Sequence, residues 1–342
     1  MASSYKNFNT SDTTTTKTLL HEVIPLTGTI VSGTYGDNNI KNYSHGMFQS
    51  VYDYPYLSSS ANHIFDITVG FPSDSSLSGS TATQVSKKIN IYNQMAQVLV
   101  GYNSTGSIQK FDRDGDLAAG GDKLKECFFI NFARLLTKDE IKKGSFEIKV
   151  LTGSENATPA NLKTISDYGA ASEYRTNSPS GEYGILYTSS AAVEGTGVGL
   201  IYYQAGIAVL TASIFSGKFG PRYDTANTSS VSTYMASGSI TGSADGLRNR
   251  LVNIQFNNTT ELNSTIYFCR VNHNEFNYST NPTYVSSSKM VVKNESSDSP
   301  ISYITSVGLF SSDNELMAVA KLSEPLKKDP SNELTIRVRL DY

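Results

Sequence analysis

The best candidate for metal chemistry in the sequence is the acidic stretch Asp112-Arg113-Asp114-Gly115-Asp116. Alternating carboxylates around a glycine can present several oxygen ligands to Ca²⁺. The twelve-residue calcium loop, however, needs a glycine at position six and a bidentate glutamate at position twelve. Counted from Asp112, Gly115 stands at position four and Lys123 at position twelve. We therefore interpret the stretch as an acidic turn, and we predict no metal-binding residues and no cofactor.

A second candidate is a catalytic pair of His273 and Glu275, because side chains two residues apart share one face of a strand. The pair follows a predicted strand and precedes Pro282, which favours an ordered polar loop. The four histidines lie far apart in the sequence. The sequence also lacks a zinc-ligand spacing, a phosphate loop and a Gly-x-Ser-x-Gly elbow. We predict no catalytic residues and no enzymatic activity.

The tyrosine-rich stretch Tyr52–Leu57 is a third candidate, for recognition. Tyrosine combines a large apolar ring with a hydroxyl group, and it is enriched at protein interfaces. Three interpretations stay open: a subunit interface, a platform that stacks on sugars, or ordinary core. We take Tyr52, Tyr54 and Tyr56 as the candidate interface residues.

The two cysteines, Cys127 and Cys269, both lie within apolar runs. The N-terminus shows no apolar stretch typical of a secretory signal. Chains without such a signal normally fold in a reducing compartment, where disulfides are rare. We therefore expect two buried free thiols, with a disulfide as the alternative.

Short strands dominate the elements that would position these residues. Alternating or apolar runs predict strands at Ile64–Val69, Leu124–Leu136, Ser145–Val150, Tyr183–Thr188, Gly199–Gln204, Ile207–Phe215, Leu251–Phe256, Ser264–Val271, Ile301–Phe310, Glu315–Leu322 and from Leu334 to the C-terminus. One helix is predicted from Val85 to Leu99, where apolar residues recur at steps of three and four. Thr137 with Glu140 resembles a capping box that starts a second, short helix. The predicted fold class is mainly β, an antiparallel β-sandwich-type architecture with one or two short helices.

The pattern along the chain suggests four regions. Residues 1–20 are predicted to form an N-terminal arm, because Thr13–Thr16 shows no core-facing pattern. The arm is either disordered or ordered only on a neighbouring subunit. Residues 21–215 form a β-rich domain that contains the helix at 85–99. The Ser/Gly/Thr-rich residues 216–245 suggest a loop or linker. Residues 246–342 form a C-terminal sandwich-like domain.

The composition argues against several classes of function. Charged residues make up 17% of the 342-residue chain, against about 25% in typical globular proteins. The net charge is −3 and no basic patch stands out, so we expect no nucleic-acid partner. No run of 18 apolar residues is present, so we expect no membrane span. Abundant hydroxyl, amide and tyrosine side chains favour polar, hydrogen-bonded interfaces in a symmetric assembly.

Three regions of the sequence carry a family resemblance: Gly33–Ile40 with His45–Leu57, Gly199–Thr211, and Phe276–Ser279 with Tyr303–Phe310 and Asn314–Ser323. Together they resemble the uncharacterised virion structural proteins of contractile-tailed bacteriophages, especially those of marine cyanobacteria. The resemblance covers most of the chain except the loops near 71–84 and 216–240. It supplies no catalytic residues.

The resemblance implies a structural component of the phage particle. The tail or baseplate is the first expectation, and the neck or head is the second. The chain would then be made in the host cytoplasm, assemble as a homo-oligomer and bind other virion proteins. A receptor- or carbohydrate-binding tail fibre-type protein is a further alternative. A polysaccharide depolymerase, which needs paired carboxylates at a set separation, is the third hypothesis.

Overall fold

A computed structural model describes residues 5–25, 37–79, 84–118, 120–153, 161–188, 191–193, 195–220, 229–279, 283–286, 289–290, 295 and 297–342. Within these ranges the chain is mainly β, as predicted, with seventeen strands and four α-helices. The strands are β1 (Thr13–Pro25), β2 (Ile40–Asn42), β3 (Gln49–Tyr52), β4 (His63–Gly70), β5 (Cys127–Phe132), β6 (Glu140–Ile141), β7 (Glu147–Leu151), β8 (Leu162–Ser166), β9 (Tyr183–Leu186), β10 (Gly199–Tyr202), β11 (Ile207–Thr211), β12 (Leu251–Val271), β13 (Val285–Ser286), β14 (Lys289–Met290), β15 (Ser302–Phe310), β16 (Leu316–Lys328) and β17 (Leu334–Asp341). The helices are α1 (Val85–Leu99), α2 (Arg134–Thr137), α3 (Val231–Ser237) and α4 (Ile240–Arg248). No helix among the described residues is long and apolar enough to cross a membrane.

The chain divides into two compact units that differ from the four predicted regions. The central unit comprises Leu20–Thr260, and the terminal unit comprises Met1–Leu19 together with Glu261–Tyr342. Residues 13–20 of the expected arm form the first part of β1, which pairs with β12 of the same chain. The other predicted boundary, at 246, lies inside the central unit, because the first half of β12 pairs with β7 there.

A seven-stranded antiparallel sheet organises the central unit, in the order β2-β3-β4-β5-β11-β10-β9. Residues three apart on β5 point to opposite faces of this sheet. On one face Phe129 contacts Tyr92 of α1, with ring centroids 6.3 Å apart. On the other face Phe132 packs against Phe146 and against Phe256 of β12. The sheet is therefore covered on both sides, and its second face completes a sandwich-type arrangement.

Helix α1 has the predicted bounds, Val85–Leu99. Val85, Tyr92, Ala96 and Leu99 are buried as the periodicity indicates, while Ile89 is only half-buried. The helix lies against β4, where a Cβ on Gly70 would come within 2.7 Å of the Lys88 carbonyl oxygen. This close approach requires glycine at the end of β4, because any other side chain would push the helix away.

The expected linker at 216–245 instead contains α3 and the start of α4, so the chain has more helices than predicted. Residues 221–228 lie outside the described part. The serines that suggested a loop include the caps of both helices: Ser230 accepts from the Thr233 amide and Ser239 from the Gly242 amide. Met235, Ile240 and Leu247 are fully buried. Two of the serines in this stretch therefore begin helices, where the composition had suggested a loop.

The buried side of α1 carries a lysine. Lys88 is fully buried, and its ammonium donates hydrogen bonds to the carbonyl oxygens of Met235, at 2.5 Å, and Gly238, at 2.7 Å. These oxygens belong to the C-terminal end of α3, where unpaired carbonyls attract cations. Burial lowers the pKa of Lys88 to about 8. The side chain thus joins α1 to the end of α3.

The predicted strand Leu124–Leu136 is shorter in the structure, where β5 ends at Phe132 and α2 follows. The predicted helix start at Thr137 is wrong, because Thr137 is the last residue of α2 and Glu140 lies in β6. Leu135 explains part of the error. Its side chain is 76% exposed, so the apolar run that predicted a longer buried strand does not enter the core.

The terminal unit contains a small sandwich of its own. The second half of β12 pairs antiparallel with β17, and the hairpin of β15 and β16 packs on them. Its core consists of Leu309, Ile336 and Val338. Strand β17 confirms the predicted alternation, with its apolar side chains turned inward. The predicted turn at Ser311–Asn314 is also found, with Asn314 at a φ of 62°.

Candidate functional site

The acidic stretch forms a closed loop between α1 and β5 in the central unit. Asp112 and Lys123 face each other in an antiparallel bridge, and the Leu124 amide donates to the Phe111 carbonyl at 2.9 Å. The loop brings together a carboxylate oxygen from each of Asp112, Asp114 and Asp116, all within 4.8 Å of one another. The acidic turn inferred from the sequence is therefore also a compact cluster of three carboxylates.

Asp112 is the buried member of this cluster, with 1% of its side chain exposed. Its Oδ2 atom accepts a hydrogen bond from the Lys123 ammonium, while Oδ1 has no hydrogen-bond partner. Burial raises the pKa of Asp112, and the hydrogen bond from Lys123 acts in the opposite direction. Asp116 is exposed, and the backbone amide of Ala118 lowers its pKa. One loop thus holds carboxylates in opposite electrostatic environments.

Three side chains from residues 175–183 hold the acidic loop in place. The Tyr183 hydroxyl and the Asn177 amide both donate to the Gly115 carbonyl, at 3.1 and 2.9 Å. Arg175 donates to the Asp114 carbonyl at 3.1 Å. Gly115 has a φ of 71°, which is the left-handed region that glycine adopts readily. No sequence signal identified Arg175, Asn177 or Tyr183, because they lie some sixty residues from the loop that they contact.

A cavity of about 210 Å³ includes one of these anchoring residues, Arg175, in its wall. It is lined by Tyr168, Ala170, Glu173, Tyr174, Arg175, Ile185, Tyr187 and Ala192. The Lys143 ammonium lies 5.0 Å from the centroid of the Tyr174 ring. Aromatic rings beside charged groups can bind polar ligands that also have apolar faces. The volume is below the roughly 300–1,000 Å³ of typical ligand sites, so only a small group fits.

The predicted interface tyrosines separate into a half-buried and an exposed part. Tyr52 ends β3 and is half-buried, and burial raises its pKa. Tyr54 and Tyr56 are exposed beside Leu57, which is 86% exposed. The Tyr56 amide donates to the Asn38 carbonyl at 2.9 Å, which fixes the loop. The exposed rings remain available for contact with another molecule.

The histidines form no catalytic arrangement in the described part of the chain. His273 contacts Glu333, whereas Glu275 pairs with Lys6, so the pair considered from the sequence does not interact directly. His63 and Ser50 both bond to Oδ1 of Asp66. In a Ser-His-Asp triad the histidine stands between the other two residues and takes the serine proton. Here the aspartate stands in the middle, so the three residues do not form that triad.

Asp167 is a buried carboxylate outside the acidic loop, and both of its oxygens accept hydrogen bonds. Asp167 accepts hydrogen bonds from the Gly144 amide, the Phe146 amide and the Tyr203 hydroxyl. Burial nevertheless raises the pKa of Asp167 to about 6. Because two of its three donors are the backbone amides of Gly144 and Phe146, this group serves to position the chain around residues 144–146.

The two cysteines are both free thiols, with Cys127 buried and Cys269 half-buried. Burial raises the pKa of both, which leaves them poorly reactive as nucleophiles.

Comparisons with known proteins identify no relative: no family model, no curated protein sequence and no solved structure matches this chain.

Proposed function

We propose that this chain is a structural subunit of a tailed bacteriophage virion, located in the tail or baseplate, that assembles through β-rich interfaces. The supporting observation is the outer face of the hairpin in the terminal unit. Ala318 and Ala320 of β16 turn towards the small core, whereas Met317 and Val319 point the opposite way. Their side chains are 69% and 55% exposed.

The exposed apolar residues on this hairpin are adjacent rather than scattered. Phe310 and Leu316 are cross-strand partners, and both are exposed. Tyr5 contacts the Phe310 ring edge-on at 5.0 Å and is itself exposed. Contiguous exposed apolar surface is uncommon on monomers and marks sites where another protein binds. The exposed rings of Tyr54 and Tyr56 add a second such surface on the central unit.

The sequence resemblance to contractile-tailed phage virion proteins supports the assignment of this subunit to a phage particle. A virion subunit needs surfaces that contact copies of itself and other particle proteins, and it needs no catalytic centre. A neck or head position keeps the same structural role and is the second placement.

Cryo-electron microscopy of the phage particles whose genome encodes this chain tests the proposal. Density at the tail end traced to this chain supports the baseplate placement and should show the outer face of the hairpin covered by a neighbour. Density at the neck or head keeps the structural role and overturns the placement. Absence of the chain from purified particles overturns the proposal.

A carbohydrate-binding role is the second candidate, favoured by the tyrosine-lined cavity next to Arg175. A glycan array probed with the full-length protein tests it, using Tyr174→Ala for the cavity and a Tyr54→Ala, Tyr56→Ala double variant for the exposed rings. Loss of binding in one variant alone locates the sugar site. No binding by the wild-type protein removes this candidate.

A further inference from the structure

We propose that the acidic loop is a binding site for a divalent cation, with Ca²⁺ as the best-fitting ion, and that the ammonium of Lys123 acts as its internal competitor. Asp112, Asp114 and Asp116 supply the carboxylate ligands. The inference is independent of the proposed role in the virion.

The spacing of the carboxylates fits one coordination sphere. Oxygen ligands lie about 2.3–2.6 Å from Ca²⁺, so two ligands of one ion are separated by at most about 5 Å. The oxygens offered by Asp112, Asp114 and Asp116 lie within 4.8 Å of one another. A single ion can therefore contact all three residues with little rearrangement of the loop.

The unpaired oxygen of Asp112 is a second, independent indication. Its side chain is 1% exposed, yet Oδ1 has no hydrogen-bond partner. Buried polar atoms almost always have partners, and an unpaired buried carboxylate oxygen lowers stability. A cation bound among the three carboxylates would provide the missing partner.

Lys123 contacts two of the groups that would hold the ion. Its ammonium donates to Oδ2 of Asp112 and, at 2.6 Å, to the carbonyl oxygen of Ala118. Counted from Asp112, the three acids stand at positions one, three and five, and Ala118 stands at position seven. Twelve-residue calcium loops take side-chain ligands from positions one, three and five and a backbone carbonyl from position seven. The ammonium thus bonds to oxygens at positions one and seven.

The charge of the loop also favours a divalent ion. Residues 112–123 contain four aspartates against one arginine and one lysine, an excess of two acidic groups. Three carboxylates from one irregular loop suit Ca²⁺, which accepts irregular oxygen coordination, better than Mg²⁺, which demands octahedral geometry and keeps its water. Because position twelve holds Lys123 instead of a bidentate glutamate, we expect weak binding, with a Kd on the order of 10⁻⁴–10⁻³ M.

Terbium luminescence of the full-length protein provides the test, because Tb³⁺ substitutes for Ca²⁺ and is excited by nearby aromatic rings. The chain has no tryptophan, and the Tyr183 hydroxyl lies 3.1 Å from the Gly115 carbonyl oxygen within the loop. We expect tyrosine-sensitised Tb³⁺ emission that Ca²⁺ competes away at millimolar concentration and that Mg²⁺ displaces at least tenfold less effectively.

Three variants separate the site from general surface acidity. An Asp114→Asn, Asp116→Asn double variant should lose the emission, and Lys123→Met should bind at least tenfold more tightly. Asp122→Asn is the matched control, because that carboxylate pairs with Arg113 outside the cluster and its loss should change Kd less than twofold. Circular dichroism verifies the fold of each variant.

The proposal is overturned if wild-type protein shows no competed emission, or if the double variant and the wild type bind equally. Should Lys123→Met fail to fold, the comparison of wild type, double variant and Asp122→Asn still decides the outcome.

Discussion

The two units of this protein use their apolar residues differently. The central unit buries aromatic side chains on both faces of its seven-stranded sheet, as Phe129 and Phe132 show. The terminal unit has a core of three buried apolar residues and leaves Met317 and Val319 exposed on the hairpin. A small unit buries proportionally less of its surface, so its own core contributes less stability. The central unit therefore has much the larger core of its own, and the interface proposed above would cover the exposed apolar side chains of the terminal unit.

The largest expected effect comes from removing core volume in the central unit. Phe132→Ala should lower the free energy of unfolding by about 3–5 kcal/mol, because it deletes a ring that packs between two sheets. Ile336→Ala in the terminal unit should cost about 2 kcal/mol, at the low end for such truncations, because few side chains surround it. Urea unfolding followed by circular dichroism measures both. Equal losses would contradict the contrast between the two units.

The second prediction concerns the pH dependence of the central unit. The pKa of Asp167 is about 6 in the folded protein, against about 3.9 for an aspartate in an unfolded chain. The folded state therefore binds the proton more tightly, and this group's contribution to stability falls as pH rises from about 4 to 6. Unfolding measured across that range should show this decline in wild-type protein relative to Asp167→Asn. Parallel pH profiles would contradict the assignment.

A third prediction concerns the buried lysine of α1. The pKa of Lys88 is lowered to about 8 by burial, so the unfolded chain binds the proton more tightly. This contribution to stability rises as pH increases from about 8 to about 10.4, where the unfolded lysine titrates. Lys88→Met should lack that rise, and the exposed neighbour Lys87→Met serves as the control with an unchanged profile. Denaturation across this pH range measures the difference.

The smallest effect on stability is expected on the outer face of the hairpin. A Met317→Ser, Val319→Ser double variant should change the free energy of unfolding by less than about 0.5 kcal/mol per substitution, because both side chains are exposed. The same variant should weaken self-association or particle incorporation, measured by analytical ultracentrifugation and by the yield of intact particles. Wild-type assembly by this variant would remove the hairpin face from the proposed interface.

Much of the fold was predictable where local pattern and final environment agree. Helix α1 has its predicted bounds because its apolar residues recur at the helical period and pack on β4. Strand β17 keeps strict alternation because one face covers a core and the other meets solvent. The strand predicted to reach Leu136 was too long, because the apolar side chain of Leu135 lies on the surface. The loop predicted at 216–245 contains helices, because Ser230 and Ser239 act as helix caps.

The candidate site was only partly accessible from the sequence. The acidic composition at 112–116 was visible, and so was the unsuitable Lys123 at position twelve. The convergence of three carboxylates within 4.8 Å, and the burial of Asp112, depend on how the loop closes. The anchors Arg175 and Tyr183 reach the loop from a distant segment, which no local pattern encodes.

The sequence by itself determined the β-rich class and the helix at 85–99, because these depend on short-range periodicity and composition. Tertiary structure alone decided the division into units, since β1 and β12 bring distant segments of the chain into one sheet. It also decided which charged groups are buried. Lys88, Asp112 and Asp167 look like ordinary polar residues in the sequence, and only the packing of remote elements removes them from water.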